Sequence, residues 1–163
     1  MLRLTIPVLA LLLTAVPLAA QAPQSVPATD RTKATLFSAA DLQAALAKLP
    51  GDRPSGAVRV FSLAPYNVGV ERRNPQQQGA SMHEDRAELF YVIDGSATLL
   101  TGGTLTSPKD EGVDVRGPGI ENGTPLKFGK GDFMIVPAGV PHQFVDLTGP
   151  VTVMSMYLPN VTR

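Results

Sequence analysis

The chain has 163 residues, room for one domain, and its 44% hydrophobic and 17% charged residues exclude the low-hydrophobicity, high-charge balance of a disordered protein. Lys plus Arg equal Asp plus Glu at 14 each, which excludes the basic excess expected of a partner for nucleic acid or an anionic membrane. There is no cysteine, so disulfide scaffolds, thiolate ligands and thiol redox motifs are excluded as well.

The first twenty residues, MLRLTIPVLALLLTAVPLAA, place Arg3 before a long apolar stretch and end in small residues. That order predicts a secretory signal cleaved after Ala20, and therefore a periplasmic or secreted protein. Pro7 and Pro17 interrupt the apolar run, which is too short for a membrane span of roughly 20 residues, so no stable anchor is expected in the mature form. Residues 21–36 follow as a polar, Pro-containing flexible leader, and the folded domain is expected over 37–163.

Within that domain Leu42, Ala45, Leu46 and Leu49 recur at helical spacing, with Ser38 as N-cap and Asp41 as its capping-box partner. One short helix is predicted. After Pro50 and Gly51 the period changes to two: Val58 to Leu63, Val68 with Val70, LFYVI at 89–93, ATLLT at 97–101, FMIV at 133–136, HQFVDL at 142–147 and VTVMSMYL at 151–158. Many short strands separated by turns imply an all-β sandwich or barrel. The Gly- and Pro-rich stretch 102–129 breaks the pattern and reads as a long inserted loop or hairpin, a candidate lid.

Two histidines are all the chain has, His83 and His142. Taken singly, each reads as an ordinary hydrogen-bonded residue at a strand end. Their contexts say more. His142 closes the segment GDFMIVPAGVPH, in which Gly131, Pro137 and Gly139 punctuate a strand and a tight turn. This segment resembles the second sequence motif of the cupin superfamily at every fixed position except the last, where Asp146 replaces an Asn. The first cupin motif is matched by His83 at its second His, by Glu88, and by Gly95 seven residues further on, while Ser81 stands at the first His.

The resemblance covers about residues 57–158. It implies a double-stranded β-helix, or jelly-roll barrel, with a metal site in the barrel mouth. By the motif, His83, Glu88 and His142 are the metal ligands, and such a set suits a divalent Zn, Fe, Mn or Ni ion with positions left for water or substrate. Ser81 is a poor ligand and is assigned to positioning water or substrate; Glu84, Asp85 and Gln78 are alternatives for a fourth ligand. Arg72, Arg73 and Asn74 either reach an anionic substrate or form a solvated turn. Tyr91, Phe144 and the MSMY stretch at 154–157 are expected in the packing of the barrel. The function implied is a small-molecule metalloenzyme of dioxygenase, isomerase or decarboxylase type, with a non-catalytic metal- or ligand-binding module or a metal-free structural barrel as alternatives. Family habit also suggests a homodimer.

Overall fold

Short runs of alternating burial put about half of the described residues in strands. The structure, a computed structural model, describes residues 29–160; the expected signal over 1–20 and the leader up to 28 lie outside the described residues. Helix α1 (Ala39–Leu46) is capped as anticipated, Asp41 donating its backbone N–H to Ser38 Oγ at 3.1 Å. It ends three residues earlier than the apolar spacing suggested, because Lys48 and Leu49 bond to Ala45 and Leu46 in a tighter final turn.

Thirteen strands follow among the described residues: β1 (Ser55–Leu63), β2 (Tyr66–Arg73), β3 (Ala80–His83), β4 (Arg86–Asp94), β5 (Ala97–Thr101), β6 (Thr104–Leu105), β7 (Lys109–Asp110), β8 (Asp114–Gly117), β9 (Ile120–Glu121), β10 (Thr124–Phe128), β11 (Phe133–Val136), β12 (His142–Val145) and β13 (Val151–Pro159). They form a five-stranded sheet ordered β1-β2-β13-β4-β11, a six-stranded sheet ordered β10-β5-β12-β3-β8-β7, and a small β6-β9 ribbon. All pairings are antiparallel.

Two expectations are corrected. The stretch 102–129 is not a free insertion: β8 pairs with β3 and β10 pairs with β5, so both are members of the six-stranded sheet. Its strands are two to five residues long and mostly exposed, which is why no apolar period announces them. The leader is also held where it is described. Thr29 exchanges hydrogen bonds with Ser62 on β1, and Arg31 donates to the Ala64 carbonyl at 2.7 Å, because β1 is an edge strand with backbone groups to satisfy.

The interior divides into two halves. Between β4, β11 and β13 on one side and β5, β10 and β12 on the other lies the apolar core: Phe90, Val92, Leu99, Phe128, Val136, Phe144, Val151 and Val153. Phe144 sits at its centre, meeting Phe90 and Phe128 edge to face at 5.4 and 5.5 Å between ring centroids. Each such buried side chain contributes about 1.5–3 kcal/mol through area removed from water. The other half, between β1 and β2 and the β3–β8 pair, is polar and partly open. Strand period two accounts for which residues enter it: along β13, Ser155 faces inward between Val153 and Tyr157, leaving Met154 and Met156 half-buried on the other face. Those two methionines are therefore not interior filling as the sequence suggested, and neither is Tyr91, whose half-buried ring packs against exposed Phe133 at 4.7 Å.

Candidate metal centre

Three side chains meet where the apolar and polar halves join. Glu88 comes from β4 of the five-stranded sheet, whereas His83 ends β3 and His142 opens β12 of the six-stranded sheet. Local sequence sets up each approach. A two-residue turn at Glu84 and Asp85 reverses the chain from β3 into β4. Gly139, at φ +73°, turns the chain ahead of β12 and donates its backbone N–H to the His83 carbonyl at 2.8 Å, so the loop carrying His142 is tied to the strand carrying His83. Asp146 takes φ +58°, a left-handed conformation that Asn and Asp tolerate better than most residues, which makes its replacement of the motif Asn a physically mild one.

All three side chains are buried, and their nitrogen and oxygen ligand atoms lie within 4.8 Å of one another. His83 Nε2 is 3.1 Å and His142 Nε2 is 3.2 Å from the same oxygen, Glu88 Oε2. Donor atoms held about 2.0–2.2 Å from one ion at tetrahedral or octahedral angles stand roughly 3.0–3.5 Å apart, so the two His–Glu separations fit a shared cation. Behind the ring, His83 Nδ1 donates to Asp114 Oδ1 at 2.7 Å. A carboxylate at that position fixes the tautomer that leaves Nε2 free to bind a metal. His142 Nδ1 is buried without a partner among the described residues, so without a metal the ring proton sits on Nε2 toward Glu88, and a cation at Nε2 would take that proton's place.

The electrostatics agree with this geometry. Burial pulls His83 down, but hydrogen bonds and charge from Glu88 and Asp114 outweigh it and raise the pKa above its ordinary value. Burial likewise pushes Glu88 up, yet the hydrogen bonds and charges of His142 and His83 hold its carboxyl at about 2. In the metal-free protein, then, His83 lies between two acceptors and satisfies both only as imidazolium; a cation replacing the Nε2 proton satisfies the same atoms. Asp114, pushed up by burial, is held below its usual range by His83, Arg86 and Arg116. Arg86 pairs with Asp114, and its guanidinium lies 4.5 Å over the Tyr157 ring, which stands edge-on to His83 at 5.0 Å. Burial and the charges of Glu88 and Glu71 push the Tyr157 phenol up to about 12, so it stays neutral.

The remaining sequence candidates separate cleanly. Ser81, paired by backbone to His142, lines the adjoining cavity, where its Oγ accepts from Arg116 Nη1 at 3.3 Å. The alternatives for a fourth ligand are placed elsewhere: Glu84 is exposed, Asp85 is exposed and pairs with Arg86, and the Gln78 amide donates to the carbonyls of Pro54, Asn74 and Gln76. Arg72 donates to the Leu49 carbonyl and Asn74 to the Arg53 carbonyl, so both brace the chain before β1. Arg73 does enter the cavity, where it pairs with Glu71 at 2.6 Å and lies 4.1 Å over the Phe144 ring. Asp114, Arg86, Tyr157 and Arg116 were not found by sequence reasoning. The pairing of His83 with Asp114 across β3 and β8 joins residues 31 apart, and nothing local marks it.

The cavity beside the triad has a volume of about 370 Å³ and is walled by β1, β2, β3 and β8. That volume lies at the lower end of the range of small-molecule pockets.

No model of a known protein family matches the sequence, and no curated protein is similar to it in sequence. Similarity to solved structures is one of shape. An uncharacterised conserved protein with a double-stranded β-helix domain from Klebsiella pneumoniae is 19% identical, with a TM-score of 0.55 over 78% of this chain and 91% of that one. The cupin domain of Cnp3 from Schizosaccharomyces pombe is 13% identical, with a TM-score of 0.51 over 71% of this chain and 72% of that one. The fold is the cupin double-stranded β-helix.

Proposed function

We propose that this chain is an exported cupin-fold protein that holds one divalent transition-metal ion with His83, Glu88 and His142 and acts on a small molecule in the adjoining cavity. The observation that carries the reading is the convergence of two imidazole Nε2 atoms on one oxygen of Glu88, with Asp114 fixing the first ring from behind. Three protein ligands are the number found in catalytic rather than closed structural sites. When bound, the ion supplies Lewis-acid chemistry or, if it is iron, redox chemistry, consistent with an isomerase, decarboxylase or dioxygenase. The protein's own residues do the rest: Asp114 and Arg86 hold His83 in place, Tyr157 packs against it as a neutral phenol, and Ser81 positions water or substrate from β3. Export rests on the sequence of residues 1–20, and a homodimer remains an expectation of the fold.

A second reading has its own support. His83 as an imidazolium between Glu88 and Asp114 satisfies the site with a proton alone, as a metal-free barrel or a non-catalytic binding module would. Elemental analysis of the mature, untagged protein decides between them. One equivalent of a single transition metal, lost in His142→Ala while the circular dichroism spectrum is kept, supports the metal reading. No metal after incubation with Zn, Mn, Fe or Ni salts refutes it.

A further inference from the structure

Resting on that metal reading, the charge in the cavity identifies the class of ligand. Of the residues lining it, Glu71 and Glu88 are acidic and Arg73 and Arg116 basic. These cancel, so a divalent ion on the triad makes the lining net positive, which favours an anion.

The two arginines are not equivalent. Arg73 is committed to Glu71 at 2.6 Å and to the Phe144 ring face. Arg116 is not: its Nε–Glu111 contact of 2.9 Å joins side chains that are about half exposed, and pairs of that kind contribute little. Its Nη1 reaches Ser81 Oγ at 3.3 Å. That bond uses the hydroxyl as acceptor and leaves its hydrogen available to donate. Arg116 and Ser81 thus present a planar fork and an O–H together at the wall of the cavity, on adjacent strands paired Ser81 to Arg116 and, on the other side, Ser81 to His142.

We propose that Arg116, with Ser81, is the specificity-determining group for a small organic carboxylate held between it and the metal centre. A guanidinium fork matches carboxylate and phosphate alike. Arg116, whose acidic partner is the half-exposed Glu111, and one hydroxyl match the two oxygens of a carboxylate and leave a phosphate short of donors.

The test is calorimetric titration of the zinc-loaded protein with lactate, with its uncharged counterpart lactamide, and with inorganic phosphate, in wild type, Arg116→Gln and Arg116→Lys. Lactate should bind at least about tenfold more tightly than lactamide or phosphate, Arg116→Gln should cost lactate about tenfold while leaving lactamide unchanged, and Arg116→Lys should restore part of the loss. Lactamide or phosphate binding as well as lactate, no lactate binding, or equal losses for lactate and lactamide in Arg116→Gln would each overturn the proposal. Zinc content measured on the same samples separates the two levels of failure. One equivalent of zinc without carboxylate selectivity sinks this proposal alone, whereas no zinc sinks the metal reading and this proposal with it.

Discussion

Replacing Asp114 by Ala tests whether the triad is a metal site at all, because the substitution leaves all three proposed ligands in place and removes only the group that orients one of them. In the intact protein Asp114 accepts from His83 Nδ1 at 2.7 Å and pairs with Arg86. Its loss frees the His83 ring to change tautomer and leaves a half-buried guanidinium facing it. Carboxylates in this position are worth roughly 10- to 100-fold in metal affinity, or about 1.4–2.7 kcal/mol. Competition for zinc against a chromophoric chelator reads that change directly, and the thermal unfolding midpoint of the metal-free protein checks the fold. The loss should also depend on pH. Asp114 helps hold the His83 pKa above its ordinary 6.5, so in wild type protons compete with metal at a higher pH than for a free imidazole. Removing Asp114 weakens that competition. The full loss of affinity should therefore appear near pH 8 and shrink toward pH 6. An affinity within twofold of wild type at pH 8, in a folded protein, would refute the assignment of His83 as a ligand oriented by Asp114.

The metal-free protein has a predictable stability profile. Glu88 is held at about 2 against an ordinary 4.5, so its contribution is complete above 4.5 and is lost as pH falls toward 2; His83 is raised above 6.5, so its contribution is complete below 6.5 and is lost as pH rises through its folded value. Denaturant unfolding should give a maximum between these limits, and saturating zinc should abolish the decline on the alkaline side; a flat profile from pH 5 to 8 without metal would contradict the imidazolium. Phe144→Ala removes a side chain that is 1% exposed at the junction of Phe90, Phe128 and Arg73, and should cost about 3–5 kcal/mol in denaturant unfolding. A cost under 1 kcal/mol would mean the core is not packed as described. Gly95→Ala forces a Cβ to within 2.7 Å of the Pro150 carbonyl oxygen at φ +88°, and should lower the melting temperature of the metal-free protein measurably, whereas Gly51→Ala, with open space around it, should not.

The parts of the fold and site legible in the sequence are those encoded by neighbours. The run from Gly131 to His142 holds a strand, a turn and a ligand in twelve consecutive residues, and the turn glycine is needed because the backbone there is left-handed and bonded to His83. Gly95 is legible for a similar reason, since Pro150 leaves no room for a side chain. What stayed hidden depends on pairing between distant strands. Asp114 and Arg116 lie in β8, a four-residue strand with no buried residue, and only its register against β3 brings one behind His83 and the other beside Ser81. The placement of Met154, Met156 and Tyr91 was misjudged because alternation tells which residues share a face, not which face turns inward. The ordering of Thr29 and Arg31 against β1 follows from an edge strand's unmet hydrogen bonds, which composition does not reveal.

The division of the interior also bears on how the chain can change over time. Residues that hold the barrel together and residues that line its cavity occupy opposite halves, which touch where Phe90 meets His142 and where Arg73 lies over Phe144. Substitutions at Ser55, Ala57, Ser81 or Arg116 alter the shape and charge offered to a ligand while leaving the aromatic cluster intact. A lineage carrying this barrel can therefore explore new ligands at little risk to folding, so long as Phe90 and Phe144, which answer to both halves, are kept.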